Sequence, residues 1–239
     1  MCIRDSNHLR VATLLLRKKA SLTFNDQGNW PLHFAASHRN VHVARILVGN
    51  QDVCVANKFG HTALHIAATQ GDMEMVDVLL KHTDIDCADS NGYTALHMAA
   101  FNNEALVVHQ LLQNCADPNK QAHGNVVPMH LAARNGYFNI VKMLWLAGAD
   151  VDIMSTDGQT PLCCAIGNNQ NRVARWLVRY ANASTTLAGS QGTAFDVART
   201  SNNARLFEWL GRTRTPQVPA LQTCTLLFGI LPTNTLECK

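Results

Sequence analysis

The sequence predicts an all-α protein built from repeated pairs of short helices. One nine-residue motif occurs at 28–36, 60–68 and 92–100, and each copy contains Leu-His, one variable residue and then Ala-Ala. Its third position falls at 30, 62, 94, 127, 160 and 193, so the period is 32 or 33 residues. Between these motifs, apolar residues follow the i, i+3, i+4 spacing of a helix with one buried face. A fixed period of this length is typical of stacked repeats, which have no single central core.

The recurring motif resembles the Thr-Pro-Leu-His-x-Ala core of the ankyrin repeat family. Near-matches are Thr62-Ala-Leu-His-Ile-Ala67, Thr94-Ala-Leu-His-Met-Ala99 and Val127-Pro-Met-His-Leu-Ala132. The resemblance covers about residues 9–210. It implies an all-α ankyrin-repeat solenoid, in which each repeat is a helix-turn-helix unit with a short β-hairpin loop.

Each first helix of a repeat is predicted to begin just after the third motif position. Threonine occupies this position in four repeats, where its side-chain oxygen can cap the helix; these residues are Thr62, Thr94, Thr160 and Thr193. Proline follows the cap position in three repeats, where its missing N–H loses no hydrogen bond. Trp30 and Val127 cannot cap, so we expect their helices to be less stable by about 1 kcal/mol.

A turn between the two helices is predicted nine residues after each cap position. Glycine or asparagine occupies this place in five repeats, and both tolerate a left-handed backbone; these residues are Gly71, Asn103, Gly136, Asn169 and Asn202. Arg39 followed by Asn40 occupies the turn of the first full repeat. Each second helix then carries an apolar stripe, which Gln110 interrupts in one repeat.

The repeats divide the chain into four segments. Residues 1–8 do not fit the repeat, and we interpret them as a leader of artefactual origin, such as a stray translated junction. Residues 9–24 match only the second helix of a repeat, so we expect the sequence to be a fragment of a longer protein. Residues 25–210 hold about five full repeats plus a C-terminal unit. Residues 211–239 contain three prolines and no periodicity, which predicts a flexible or non-native tail.

Composition and charge are typical of a soluble folded protein. Of the 239 residues, 47% are hydrophobic and 15% are charged. The net charge of +3 is too small to indicate nucleic acid binding, and no apolar run is long enough to span a membrane.

The eight cysteines include no C-x-x-C pair, which favours reduced thiols in a cytoplasmic or nuclear protein. The adjacent Cys163 and Cys164 fall in predicted core positions, which disfavours a redox role.

The histidines at 33, 65, 97 and 130 raise the question of a metal site. Stacked helices lie about 8–10 Å apart, whereas all ligands of one zinc ion lie about 2 Å from it. One histidine per repeat therefore cannot converge on a metal. The resemblance implies that each histidine bridges neighbouring repeat loops by hydrogen bonds. No phosphate loop, G-x-S-x-G or H-E-x-x-H motif is present, so we predict no enzyme activity, no metal and no cofactor.

The resemblance implies that a partner contacts the hairpin tips and the first helices, on the concave side. The residues in these slots are Phe59, His61, Ser90, Asn91, Tyr93, Phe101, His123, Val126, Arg134 and Gln159. Exposed aromatic residues are common binding anchors, which draws attention to Phe59 and Tyr93. The alternative for both rings is that they pack on a neighbouring hairpin.

The predicted function is a scaffold, expected to be a monomeric array, that binds a protein partner through the concave surface and hairpin tips. The sequence does not identify the partner. One alternative is the targeting or regulatory region of a larger enzyme or channel whose functional domain is missing from this sequence. An ankyrin-type inhibitor of a transcription factor is disfavoured, because the chain after the repeats is basic at Arg212 and Arg214 and lacks an acidic run.

Charge is distributed unevenly along the repeats. Residues 52–104 contain eight acidic residues against two lysines, whereas residues 172–214 contain seven arginines against two acidic residues. Arg172, Arg175 and Arg179 fall on one side of a predicted helix. This end of the chain could steer an acidic partner, or its arginines could simply form a solvated outer face.

Overall fold

The computed structural model describes residues 25–49 and 52–212. The predicted leader (1–8), the predicted half-repeat (9–24) and residues 213–239 of the predicted tail lie outside the described residues. Within the described ranges the fold is all-α, with twelve short α-helices and a 3-10 turn at His123–Asn125. The helices are α1 Pro31–Ser37, α2 Val41–Val48, α3 Ala63–Gln70, α4 Met73–Leu80, α5 Ala95–Phe101, α6 Ala105–Gln113, α7 Pro128–Asn135, α8 Phe138–Leu146, α9 Pro161–Gly167, α10 Asn171–Arg179, α11 Ala194–Thr200 and α12 Ala204–Arg212.

The helices belong to two compact units. The first unit contains the described residues up to Ala132 together with Asn139–Ala149. The second unit contains Ala133–Phe138 and the described residues from Asp150 onward. In the first unit, α3 packs against α1 and α5, and α4 packs against α2 and α6. In the second unit, α9 packs against α10 and α11, and α11 packs against α12. Equivalent helices of successive repeats are therefore neighbours within each unit.

The first helices begin with hydrogen bonds at the predicted cap positions. At Thr160 the hydroxyl accepts from the backbone N–H of Cys163 at 3.2 Å, which confirms the predicted cap. At Trp30 and Val127, where no cap was expected, the imidazole three residues later still accepts from the backbone N–H of the cap position. These bonds measure 3.0 Å for His33 and 3.2 Å for His130. The two helices thus retain the histidine half of a capping box.

The turns between helices adopt the predicted left-handed backbone. Every predicted glycine and asparagine has a positive φ, between 54° and 78°; they are Gly71, Asn103, Gly136, Asn169 and Asn202. In the first full repeat Arg39 takes this conformation, with φ of 53°. Its neighbour Asn40 instead caps α2, where its side-chain oxygen accepts from the N–H of Val43.

Buried stripes on both helices of each repeat form the core. In α4 the four buried residues are Met75, Val76, Val78 and Leu79. Gln110, which interrupts the equivalent stripe of α6, is buried, and its amide donates to the carboxylate of Asp77. The core therefore accepts one polar residue because a partner on the preceding repeat satisfies its N–H donor. The last helix ends at Arg212, beyond the predicted repeat boundary at residue 210.

Candidate functional site

The hairpin tips of the first unit are tight turns, and the described residues contain no β-strand. In one tip the N–H of Asn57 donates to the carbonyl of His61, and the N–H of Gly60 donates to the carbonyl of Asn57, both at 2.9 Å. The side-chain oxygen of Asn57 also accepts from the N–H groups of Phe59 and His61, at 2.9 Å and 3.0 Å. The four bonds fix the backbone of this tip, because an Asn side chain can act as an additional turn acceptor.

Asp89 plays the same role in the next tip. Its Oδ1 accepts from the N–H groups of Asn91 and Tyr93, both at 2.8 Å. Its Oδ2 is buried and lies 3.3 Å from Nε2 of His61 on the preceding tip. The Asp89 side chain is only 1% exposed, whereas that of His61 is 35% exposed. Sequence analysis did not single out Asp89, since nothing in the repeat pattern shows that His61 lies above it.

Neighbouring tips are joined through their backbones. The N–H of Ser90 donates to the carbonyl of Phe59 at 3.1 Å, and the N–H of His123 donates to the carbonyl of Asn91 at 2.8 Å. At Gly60, with φ of 79°, an added Cβ would lie 2.2 Å from the backbone nitrogen of Ser90. The close approach of two tips therefore requires glycine at this position.

Buried histidines connect the first helices α1, α3 and α5 to the following tip. Nδ1 of His65 accepts from the N–H of Thr62 at 3.2 Å, while Nε2 lies 2.9 Å from the carbonyl oxygen of Tyr93. His97 makes the same pair of bonds and reaches the carbonyl of Val126 at 3.1 Å. A ring that accepts at Nδ1 and donates at Nε2 is neutral. The predicted bridging role is therefore confirmed at these two positions and at His33, whose Nε2 lies 2.8 Å from the carbonyl oxygen of His61.

Burial strengthens this preference for the neutral ring. Desolvation lowers the pKa of His33 and His65 below the usual value of 6.5. It lowers the pKa of His97 to about 4. Within the residues that the structure describes, no group of three or more His, Cys, Asp or Glu side chains is placed to hold a metal ion.

The predicted contact residues of the first unit differ in exposure. Those at the turn tips and at the end of α5 are exposed, and these are Phe59, Ser90, Asn91, Phe101 and His123. Those that directly precede a cap position are half-buried, and these are His61, Tyr93 and Val126. The half-buried group contributes its carbonyl oxygens to the histidine bridges, so its members have a structural role as well.

The two aromatic tip residues behave differently. Phe59 is 57% exposed, although its ring is tilted against His61 at a centroid distance of 6.1 Å. Tyr93 is half-buried and meets His97 edge-on, with centroids 5.4 Å apart. Packing thus accounts for much of the Tyr93 ring but leaves most of Phe59 accessible.

Two predicted contact residues, Arg134 and Gln159, belong to the second unit. Arg134 lies near the end of α7 and is exposed. Gln159 is half-buried in a turn, where its N–H donates to the hydroxyl of Ser155 at 3.1 Å. The other eight predicted contact residues lie in the first unit.

The described cysteines differ in oxidation state and burial. Cys54, Cys87, Cys163 and Cys164 carry free thiols, whereas Cys115 is disulfide-bonded, so the prediction of reduced thiols fails there. Cys163 is buried, and burial raises the pKa of the Cys164 thiol to about 11. Because the thiolate is the reactive form, this pair is suited to packing.

No helix among the described residues is long and apolar enough to cross a membrane.

Comparison with known proteins identifies the family. Residues 49–122 and 129–216 match a family model described as ankyrin repeats in three copies. Residues 1–48 match a second model, described as ankyrin repeats in many copies. The chain belongs to the ankyrin repeat family. The match also includes residues 1–8, which sequence analysis placed outside the repeats.

Solved and curated relatives agree with this assignment. The chain is similar to the crystal structure of the ankyrin repeat domain of Bcl-3, of the IkappaB protein family, with a TM-score of 0.74 and 26% identity. That match covers 85% of this chain and 91% of the other. The fold class is thus an all-α ankyrin-repeat solenoid, as predicted.

Curated relatives match over shorter stretches. The chain is 39% identical over 64 residues to the ARF GTPase-activating protein Git of Drosophila melanogaster, covering 26% of this chain and 9% of that protein. It is 37% identical over 79 residues to protein phosphatase 1 regulatory subunit 12A of Mus musculus, covering 33% of this chain and 8% of that protein. The chain therefore aligns with less than a tenth of the length of these two relatives.

Proposed function

We propose that the first unit recognises a protein partner through its tip face. The tip face consists of Phe59, His61, Ser90, Asn91, Tyr93, Phe101, His123 and Val126. The observation that carries the proposal is that two large aromatic residues, Phe59 and Phe101, are 57% and 52% exposed. The backbone at Phe59 is fixed by a hydrogen bond to the side chain of Asn57. Large aromatic side chains are enriched at protein interfaces and often dominate their binding energy.

Order in the tips supports recognition of a folded partner. Binding costs free energy when loops and side chains must be immobilised. Here the turn at Asn57, the turn at Asp89 and the bond between Ser90 and Phe59 already fix the backbone. The tip face can therefore bind with a small loss of backbone entropy.

The second unit contributes Arg134 and Gln159 as candidate contacts of its own. Arg134 is the stronger candidate of the two, because its exposed guanidinium can form a bidentate pair with a carboxylate.

Ankyrin repeats are interaction modules, and we propose that this chain acts by binding alone, in the cytoplasm or nucleus.

Photocrosslinking tests the tip face. A photoreactive phenylalanine analogue is placed at Phe59 or Phe101, and a control is placed at Leu106, which is 71% exposed on α6. We expect the first two positions to capture one shared partner that the control does not capture. With that partner purified, the double variant Phe59→Ser/Phe101→Ser should bind about tenfold more weakly, a loss of about 1.4 kcal/mol. Leu106→Ser should bind as the unchanged chain does.

Two results would contradict the proposal. One is equal capture of the same partner from Leu106 and from the tip positions. The other is an unchanged affinity of the double variant when its circular dichroism spectrum shows a native helix content. Either result would place the contact away from the tip face.

A second candidate function is a regulatory or targeting region of a larger enzyme. The names of two relatives favour it, since one is a GTPase-activating protein and one a phosphatase regulatory subunit. Sequencing the transcript in both directions tests the idea. An in-frame catalytic domain or membrane span would support it, whereas stop codons directly flanking the repeats would rule it out.

A further inference from the structure

The second unit carries an arginine-rich face on α10. Arg172, Arg175 and Arg179 are all exposed, and their spacing of three and four residues places them on one side of the helix. From the sequence, these arginines could either steer a partner or form a solvated face. Their surroundings in the structure distinguish the two.

Each guanidinium is held against an aromatic ring. The guanidinium carbon of Arg172 lies 4.0 Å from the ring centroid of Phe138. Those of Arg175 and Arg179 lie 5.7 Å and 5.9 Å from the ring centroid of Trp209. These distances are within the range of cation–π attraction, about 6 Å. The rings therefore restrict side chains that would otherwise move freely in solvent.

A cavity of about 380 Å³ opens among these groups. It is lined by the three arginines together with Phe138, Trp176 and Tyr180. The rings of Trp176 and Tyr180 are stacked, with centroids 6.3 Å apart. The site thus combines a concave aromatic wall with three positive charges, a combination that a purely solvated helix face lacks.

The salt bridges among residues 25–49 and 52–212 leave the three charges of α10 unpaired. They include Arg45–Glu74, His61–Asp89 and Arg199–Asp196. None involves an arginine of α10. The face therefore presents guanidiniums whose donors are available to carboxylates, which they bind in bidentate geometry.

We infer that this face, formed by Arg172, Arg175, Arg179, Phe138, Trp176 and Tyr180, binds an acidic segment of a partner protein. Carboxylates of the segment would pair with the guanidiniums, and an apolar side chain would enter the aromatic cavity. This face shares no residue with the tip face, so the inference does not depend on the function proposed above.

Spacing favours an extended peptide over a single small anion. A helix rises about 1.5 Å per residue, so Arg172 and Arg179 are about 10 Å apart along the axis of α10. A chain in the extended polyproline II conformation rises about 3.1 Å per residue and returns to the same side every three residues, so acidic side chains three residues apart match this separation. One phosphate group is too small to contact both ends of the row.

Fluorescence anisotropy with the full chain tests the inference. The probe is a labelled peptide with glutamate at every third position and leucine or phenylalanine between, and the reference is the same peptide with glutamine in place of glutamate. We expect the acidic peptide to bind about tenfold more tightly than the reference, and to bind more weakly as the salt rises from about 50 mM to about 300 mM.

Variants connect the binding to the face. Arg175→Gln/Arg179→Gln should weaken acidic-peptide binding about tenfold, and Arg175→Lys/Arg179→Lys should weaken it several-fold because lysine keeps the charge but not the planar fork. The matched control is Arg205→Gln/Arg212→Gln on α12, which removes two exposed arginines that do not line the cavity. It should leave binding nearly unchanged, as should Phe59→Ser/Phe101→Ser on the tip face.

Several outcomes would overturn the inference. Equal affinity for the acidic and glutamine peptides would show that charge is not recognised. Equal loss in the α12 control would show only a general effect of net charge. Tighter binding of a phosphoserine peptide or of a labelled single-stranded DNA oligonucleotide, abolished by the α10 variants, would assign the face to phosphate groups instead.

Discussion

Acidification is expected to destabilise the first unit through its buried histidines, and His97 is the clearest case. The side chain is fully buried, accepts a hydrogen bond at Nδ1 from the N–H of Thr94 and lies 3.1 Å from the carbonyl of Val126 through Nε2. Protonation at Nδ1 would remove the acceptor and place a charge in the core. Burial accordingly lowers the pKa of His97 in the folded state from 6.5 to about 4.

The direction and size of the effect follow from proton linkage. Between the two pKa values the unfolded chain binds a proton at position 97 and the folded chain does not. Acid therefore favours unfolding, and the loss of stability begins near pH 6.5 and saturates near pH 4. Each such proton changes the free energy of unfolding by about 1.4 kcal/mol per pH unit. From pH 6.5 to about pH 5, His97 alone accounts for roughly 2 kcal/mol.

Urea unfolding followed by circular dichroism at several pH values between about 7.5 and 5 measures this loss. His97→Gln removes the titrating group, so its free energy of unfolding should fall less steeply with acid, by about 1.4 kcal/mol per pH unit. His109→Gln changes an exposed histidine on α6 and is the control. Identical pH slopes for the unchanged chain and His97→Gln would refute the argument that His97 is neutral in the fold.

Two further predictions concern the tips and the core. Gly60→Ala should lower the free energy of unfolding by at least about 2 kcal/mol, because the new Cβ needs a left-handed backbone and meets the nitrogen of Ser90. Gly49→Ala is the control, since its φ of −80° is ordinary and its nearest contact is 4.0 Å away. Leu79→Ala should cost about 2–5 kcal/mol because Leu79 is fully buried, whereas Leu106→Ala, at an exposed site, should cost less than about 0.5 kcal/mol. Thermal or urea unfolding of the four variants checks both, and equal losses in variant and control would contradict the assigned contacts.

The fold was predictable because its determinants are local and repeated. A left-handed residue recurs at the same place in every turn, and apolar spacing marks each buried stripe. Arg39 shows the limit of this approach, because a glycine or asparagine rule would place the turn at Asn40, yet Arg39 takes the positive φ. The repeat period overrides the preference of a single residue.

The candidate site was predictable only in part. The repeat slots placed Phe59 at a hairpin tip and Phe101 on a first helix, but they left open whether the Phe59 ring is exposed or packs on a neighbouring hairpin. The contact between His61 and Asp89 and the stacking of Arg175 on Trp209 could not be predicted in this way. Both depend on side-chain conformations across different repeats, and the spacing of residues along the chain does not encode them.

The histidine bridges also bear on how binding specificity can change. Their acceptors are main-chain oxygens, at His61, Tyr93 and Val126, three residues with unrelated side chains. Any amino acid can supply a carbonyl, so the bridges themselves do not depend on which side chain occupies this slot. Under the proposed function, new specificities can therefore evolve, or be selected from a library varied at these three positions and at Phe59, while the histidine bridges stay in place.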